Sequence, residues 1–87
     1  MDNKPPVLIT WVDICSCDAA WMSLADALEY RPTPIQTLGW VLEENDEYVV
    51  VVSSYSVEEE DRVFGSVCAI PRDVIESIIL LDTRNVC

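Results

Sequence analysis

Ile70-Pro71-Arg72-Asp73-Val74-Ile75-Glu76-Ser77-Ile78-Ile79-Leu80-Leu81 reads as the end of one strand, a single tight turn and a closing strand. Pro71 fixes φ for the turn, Arg72-Asp73-Val74 has the length of about one turn of 3-10 chain, and the β-branched run that follows suits an extended segment. A strand, one such turn and a last strand is the way a small antiparallel barrel finishes. The residues upstream must then supply the strands that this turn closes.

They do so at readable intervals. Val63 to Ile70 alternates Phe64/Ser66/Cys68/Ile70 against Gly65/Val67/Ala69 and predicts a fourth strand leading into the turn. Val49 to Val52 is apolar on both faces, which places it either inside a sheet or at an edge covered by another subunit. Ile35 to Glu43 alternates as well, with Gly39 marking a bulge or bend in mid-strand. Glu44-Asn45-Asp46 is turn chemistry, so this strand and Glu47 to Ser54 should form a hairpin. Val7 to Ile14 is a β-branched strand carrying Trp11, apolar on both faces and therefore central or strongly curved. Asp13 stands at its end, where a carboxylate accepts backbone N–H groups of the following turn.

Between the first two strands the period changes. Trp21, Leu24, Ala25 and Leu28 fall at i, i+3, i+4 and i+7, one face of a helix. Ser23-Leu24-Ala25-Asp26 resembles a capping box and starts the helix at Leu24, with Trp21 folded back over it; alternatively Asp18 caps a longer helix from Ala19. Arg31 precedes Pro32 and is pushed out of the α region, so the helix ends there after about two turns. Such a helix would lie as a lid across one end of the barrel. The fold expected is mainly β: a small five-stranded SH3-like barrel with one short helix inserted between strands 1 and 2. Residues 1–6 form a leader, 7–82 the single domain and 83–87 a polar tail.

Composition narrows the function. With 87 residues the chain is near the lower limit for a self-sufficient core, which makes a homo-oligomer plausible through edge strands, Val49 to Val52 or Ile78 to Leu81. Sixteen acidic residues against five basic ones give a net charge of −11, and no Lys/Arg stripe offsets it. Phosphate backbones are repelled by such a field, so direct nucleic-acid binding is not expected; the ordinary role of this acidity is solubility, and its sharper role is steering toward a basic partner or imitation of a nucleic acid. The N-terminus lacks the basic region of a signal peptide, and no apolar run approaches the ~20 residues of a membrane span. A cytoplasmic protein without membrane contact is expected. Cys15, Cys17, Cys68 and Cys87 read as thiols; Cys15-Ser16-Cys17 offers two metal ligands, but His is absent and the other cysteines are single and distant. No metal or other cofactor is expected.

The candidate binding residues follow from residue type. Trp11, Trp21, Trp40 and Tyr55 offer aromatic surface, and their ordinary role is to anchor a small core. Glu58-Glu59-Glu60-Asp61 is a like-charge run whose ordinary role is a solvated loop and whose sharper role is contact with a partner or a weak cation site. Asp13 adds a further carboxylate. Arg62, with Arg31 and Arg72, is placed to pair with a phosphate. Without His, and without a nucleophile and base at readable spacing, the chain is expected not to be an enzyme.

One resemblance covers most of Val7 to Leu81. Its pieces are Trp11-Val12-Asp13, Trp21-Met22-Ser23-Leu24, Thr37-Leu38-Gly39-Trp40-Val41, the acidic turn Glu43 to Glu47, and Ile70-Pro71 followed by Ile75 and Ile78. In that order they resemble a group of small SH3-like barrel proteins encoded by tailed phages and prophages. The link between the third and fourth strands is lengthened here by the acidic run Glu58 to Asp61. What the resemblance implies is a fold and a phage origin, not an activity. With the acidity, it leads to the expectation of a non-catalytic accessory protein that binds a host protein, inhibiting a defence or nucleic-acid-handling factor. The alternative is an oligomeric sponge that sequesters a nucleotide signal at subunit interfaces.

Overall fold

The computed structural model describes residues 4–58 and 60–81, so Glu59 and the expected tail 83–87 lie outside the described residues. Its elements in chain order are β1 (Val7–Asp13), α1 (Leu24–Ala27), β2 (Thr33–Glu44), β3 (Tyr48–Val52), β4 (Ser54–Tyr55), β5 (Phe64–Gly65), β6 (Cys68–Pro71), a 3-10 turn (Arg72–Val74) and β7 (Ile75–Leu80). The protein is mainly β. Five antiparallel strands form one sheet in the order β6-β3-β2-β1-β7, and β4 pairs with β5 as a separate two-stranded ribbon.

β2 is the strand on which the sheet turns. Its first part, Thr33 to Gly39, is in register with β1, and its second part, Trp40 to Glu44, with β3. Gly39 sits at the changeover, and the reason is close approach: a Cβ there would meet the carbonyl oxygen of Val52, with the carbonyl carbon only 2.9 Å away. A register shift between Val41 and Glu43 follows directly, so the bend expected at Gly39 is shared with a bulge two residues later. The hairpin to β3 is closed by Asn45, whose Oδ1 accepts the N–H groups of Glu47 and Tyr48 at 2.8 and 2.9 Å.

That bend lets the inner faces of both parts meet. Val7 and Ile9 of β1 pack with Val49 and Val51 of β3 and Ile70 of β6, flanked by Trp11, Val41, Cys68, Val74, Ile75 and Ile78. Cys68 thus has the small-hydrophobe role expected of it. β1 is central, as its two apolar faces require, and β3 is an interior strand between β2 and β6. Val49 to Val52 is therefore no edge for self-association; the edges of the sheet are β6 and β7.

The closing stretch forms as read. Pro71 leads into the 3-10 turn, and β7 returns alongside β1 from Val7↔Leu80 to Trp11↔Ile75. Arg72 fastens this turn to the hairpin: its N–H donates to the Glu47 carbonyl at 2.8 Å, its Nε to the Asn45 carbonyl at 2.9 Å, and its guanidinium pairs with Glu44 at 3.4 Å. β6 and β7 are joined through the turn, with no ladder between them, so hydrogen-bonded barrel closure is not seen.

Two expectations need correction. Val63 to Ile70 is not one strand: Ser66 has φ 55, a left-handed conformation that interrupts extended chain. Phe64–Gly65 turns aside to pair with Ser54–Tyr55, and only Cys68–Pro71 joins the sheet. The helix is four residues, not two turns, and buries none of them, so it covers no end of the sheet.

Candidate functional site

Three of the aromatic candidates meet very different surroundings. Trp11 packs against the core and donates Nε1–H to Thr37 Oγ1 at 3.0 Å, the structural role expected of it. Asp13 accepts the Ile14 N–H at 2.9 Å, the turn contact expected at the strand end. Trp40 meets Tyr55 edge to face with ring centroids 5.1 Å apart, and the Arg62 guanidinium lies 5.1 Å above the same tyrosine ring. This half-buried trio joins the sheet to the β4–β5 ribbon. Arg62 also donates Nε–H to the Glu58 carbonyl at 3.4 Å, holding the base of the acidic loop. Glu58, Glu60 and Asp61 are exposed at the ribbon tip, and Asp61 takes a left-handed φ of 54.

The sheet does not bring Trp21 to this trio. Trp21 is 93% exposed, which corrects both the core role preferred for it and its expected position folded over the helix. It lies in the connection between β1 and β2, every residue of which is exposed. Ser23 caps the short helix by accepting the Asp26 N–H at 3.2 Å, the boundary expected from the capping-box pattern. Arg31 caps its other end, donating to the carbonyls of Leu28 and Tyr30. Leu24 and Leu28 stand one turn apart on this helix, but Trp21 precedes the extended N-cap Ser23 and so lies outside the helical face expected for it; Leu24 is 75% and Leu28 62% exposed.

Asp18, Asp26 and Glu29 are exposed in the same connection, so the segment that carries these apolar groups is also acidic. Clusters of this kind mark protein-interaction sites. In the same connection, Cys15, Cys17, Met22, Asp26, Glu29 and Tyr30 help line an open cavity of about 650 Å³. A second groove of about 510 Å³ runs between Pro5, Val7, Val41, Ile78 and Leu80, where the end of β2 faces β7.

The three arginines nominated for a phosphate lie apart and are already engaged: Arg31 on the helix carbonyls, Arg62 at Tyr55 and Glu58, Arg72 at the hairpin. Among the described residues no group of three or more Cys, Asp or Glu side chains is placed to hold a metal ion, and no helix is long and apolar enough to cross a membrane. What sequence reading missed is the exposure of the helical face, since periodicity reports a face and not what covers it. Comparison with family models, curated proteins and solved structures finds no match to the chain.

Proposed function

We propose that the chain is a non-catalytic binding module of phage type that engages a basic host protein through the Trp21 face. The observation that carries this reading is the exposed apolar surface of Trp21, Leu24 and Leu28 in a connection that also carries Asp18, Asp26 and Glu29. A tryptophan this exposed is a costly surface group unless a partner covers it, and Trp is prominent among residues that dominate binding energy. The charge of the face and of the whole chain selects the partner: an apolar pocket bordered by Lys and Arg. The SH3-like reading belongs to the same proposal. It is supported by the strand order β6-β3-β2-β1-β7, the bent second strand and the 3-10 turn before the last strand.

The test is capture from host lysate at low salt with wild type and Trp21→Ala side by side. A stoichiometric protein retained by wild type, lost with Trp21→Ala and released by salt supports the reading. Equal capture by the variant, or no stoichiometric protein at low salt, overturns it. Because Trp21 buries nothing in the chain, the variant keeps its fold and the comparison is clean.

A second reading, the nucleotide sponge, draws on Trp40, Tyr55 and Arg62 lying together. Both rings are used within the trio, Tyr55 by the edge of one and the cation of the other, which leaves less face for a base. Thermal stabilisation by saturating cyclic nucleotides in wild type but not in Tyr55→Leu would favour it over the protein-binding reading.

A further inference from the structure

Cys15 and Cys17 flank Ser16 just after β1, and both residues line the cavity that Met22, Tyr30 and Arg31 also line. The two thiols are not equivalent. Cys17 Sγ accepts the Ala19 N–H at 3.4 Å, and the neighbouring Tyr30 hydroxyl together with this backbone contact favours the thiolate and holds Cys17 below the usual thiol range. The same contact, with the nearby sulfur of Cys15, pushes Tyr30 up, so the phenol keeps its proton and remains a donor when Cys17 ionises. Cys15 is as exposed as Cys17. Asp26 and Glu29 also line the cavity and oppose a thiolate, while Arg31 favours it. An activated thiol with a second thiol one residue away is the arrangement of an attacking and a resolving cysteine.

We propose that Cys15-Ser16-Cys17 is a thiol–disulfide exchange site for low-molecular-weight disulfides of the glutathione class, with Cys17 attacking and Cys15 resolving. In the first step the Cys17 thiolate attacks one sulfur of the small disulfide. A Cys17 mixed disulfide forms, the small S–S bond breaks, and one small thiolate leaves. In the second, Cys15 loses its proton to solvent and attacks Cys17 Sγ, forming the Cys15–Cys17 bond and expelling the second small thiolate. The protein dithiol is oxidised and one small disulfide is reduced to two thiols. This chemistry is independent of any protein partner.

The experiment treats the reduced full chain with oxidised glutathione near neutral pH and follows intact mass and linked peptides over time. Wild type should lose two hydrogens and show a Cys15–Cys17 link. Cys15→Ser should stop at a glutathione adduct on Cys17, and Cys17→Ser should react several-fold more slowly. Tyr30→Phe should slow the first step while giving the same product, which separates activation of the thiol from its mere exposure. Adducts distributed equally over Cys15, Cys17 and Cys68, or a first link that involves Cys68 or Cys87, would overturn the proposal. All three positions altered lie in exposed chain, so a folding defect does not confuse the result.

Discussion

Arg72 shows how one side chain in the closing turn holds two distant parts of the chain. Its Nε reaches the Asn45 carbonyl, its backbone the Glu47 carbonyl, and its charge Glu44. The ion pair is largely exposed and contributes little, but the charged hydrogen bond to a half-buried carbonyl is worth more. Arg72→Ala should cost about 1–2 kcal/mol in urea unfolding, and Arg72→Lys should recover only part of it because an ammonium lacks the planar fork. Gly39 makes a sharper case. Gly39→Ala drives a Cβ into the Val52 backbone and should destabilise by roughly 1–3 kcal/mol, as overpacking does. At Gly65 the nearest atom is the Ser54 hydroxyl, the end of a side chain that can turn, so Gly65→Ala should cost distinctly less. The pH response belongs to this scale too. Cys17 has a folded value below its ordinary 9.0, so the contact with Tyr30 is favoured above that value and is lost as pH falls through the lower, folded one. Tyr30 is raised above 10.0, so its contribution is present below 10.0 and is lost as pH rises through its folded value. Both groups lie in exposed chain, so reactivity reads this better than stability: the alkylation rate of Cys17 should begin to rise below the ordinary thiol range, and Tyr30→Phe should move its onset toward 9.0.

Among the elements, α1 and β6 separate what pattern determines from what packing determines. Ser23 caps α1 and its loss normally costs about 1 kcal/mol of helix stability. Because α1 buries nothing, Ser23→Ala should leave the midpoint of global unfolding unchanged while speeding amide exchange at Ala27 and Leu28. Equal shifts in both would mean that the helix packs on the sheet. The strands of the five-stranded sheet were legible because their signals are local: alternation in β2, β-branching in β1 and β7, Asn45 in the hairpin and Pro71 before the last turn. The ribbon was not. Its β4 is two residues between polar neighbours, and its partner β5 is separated from β6 by Ser66 and Val67, with Ser66 in a left-handed conformation that nothing in the residue type demands. The alternation of Val63 to Ile70 therefore read through a break that the three-dimensional pairing imposes. The candidate site divides in the same way. Trp40, Tyr55 and Arg62 were nominated separately by residue type, and their meeting depends on that ribbon. Trp21 was found by its helical spacing, but spacing carries no information on whether a face is covered.

For the molecule as a whole the decisive quantity is surface. A compact monomer of this mass exposes roughly 5,200 Å² and has a radius of gyration of about 12 Å. This chain exposes 6810 Å² with a radius of 17.0 Å, and its longest extent is 53 Å. The excess is about twice the ~800 Å² that one partner contributes to a standard interface. Two kinds of partner compete to cover it. A second copy would use the β7 edge and the outer row in which Leu8 lies between Leu38 and Ile79, the last two 55% and 51% exposed. A basic protein would use the Trp21 face. Salt separates the two by sign. Two copies each carrying −11 repel, so self-association should strengthen as ions screen the charge, whereas attraction to a basic partner should weaken under the same screening. Light scattering across a salt series should show a monomer at low salt, with any growth in mass appearing only as salt rises and disappearing in Ile79→Lys. Partner capture through Trp21 should follow the opposite course and be indifferent to Ile79→Lys. A stable dimer at low salt that Trp21→Ala dissolves would place the second copy on the Trp21 face and remove the host-protein reading.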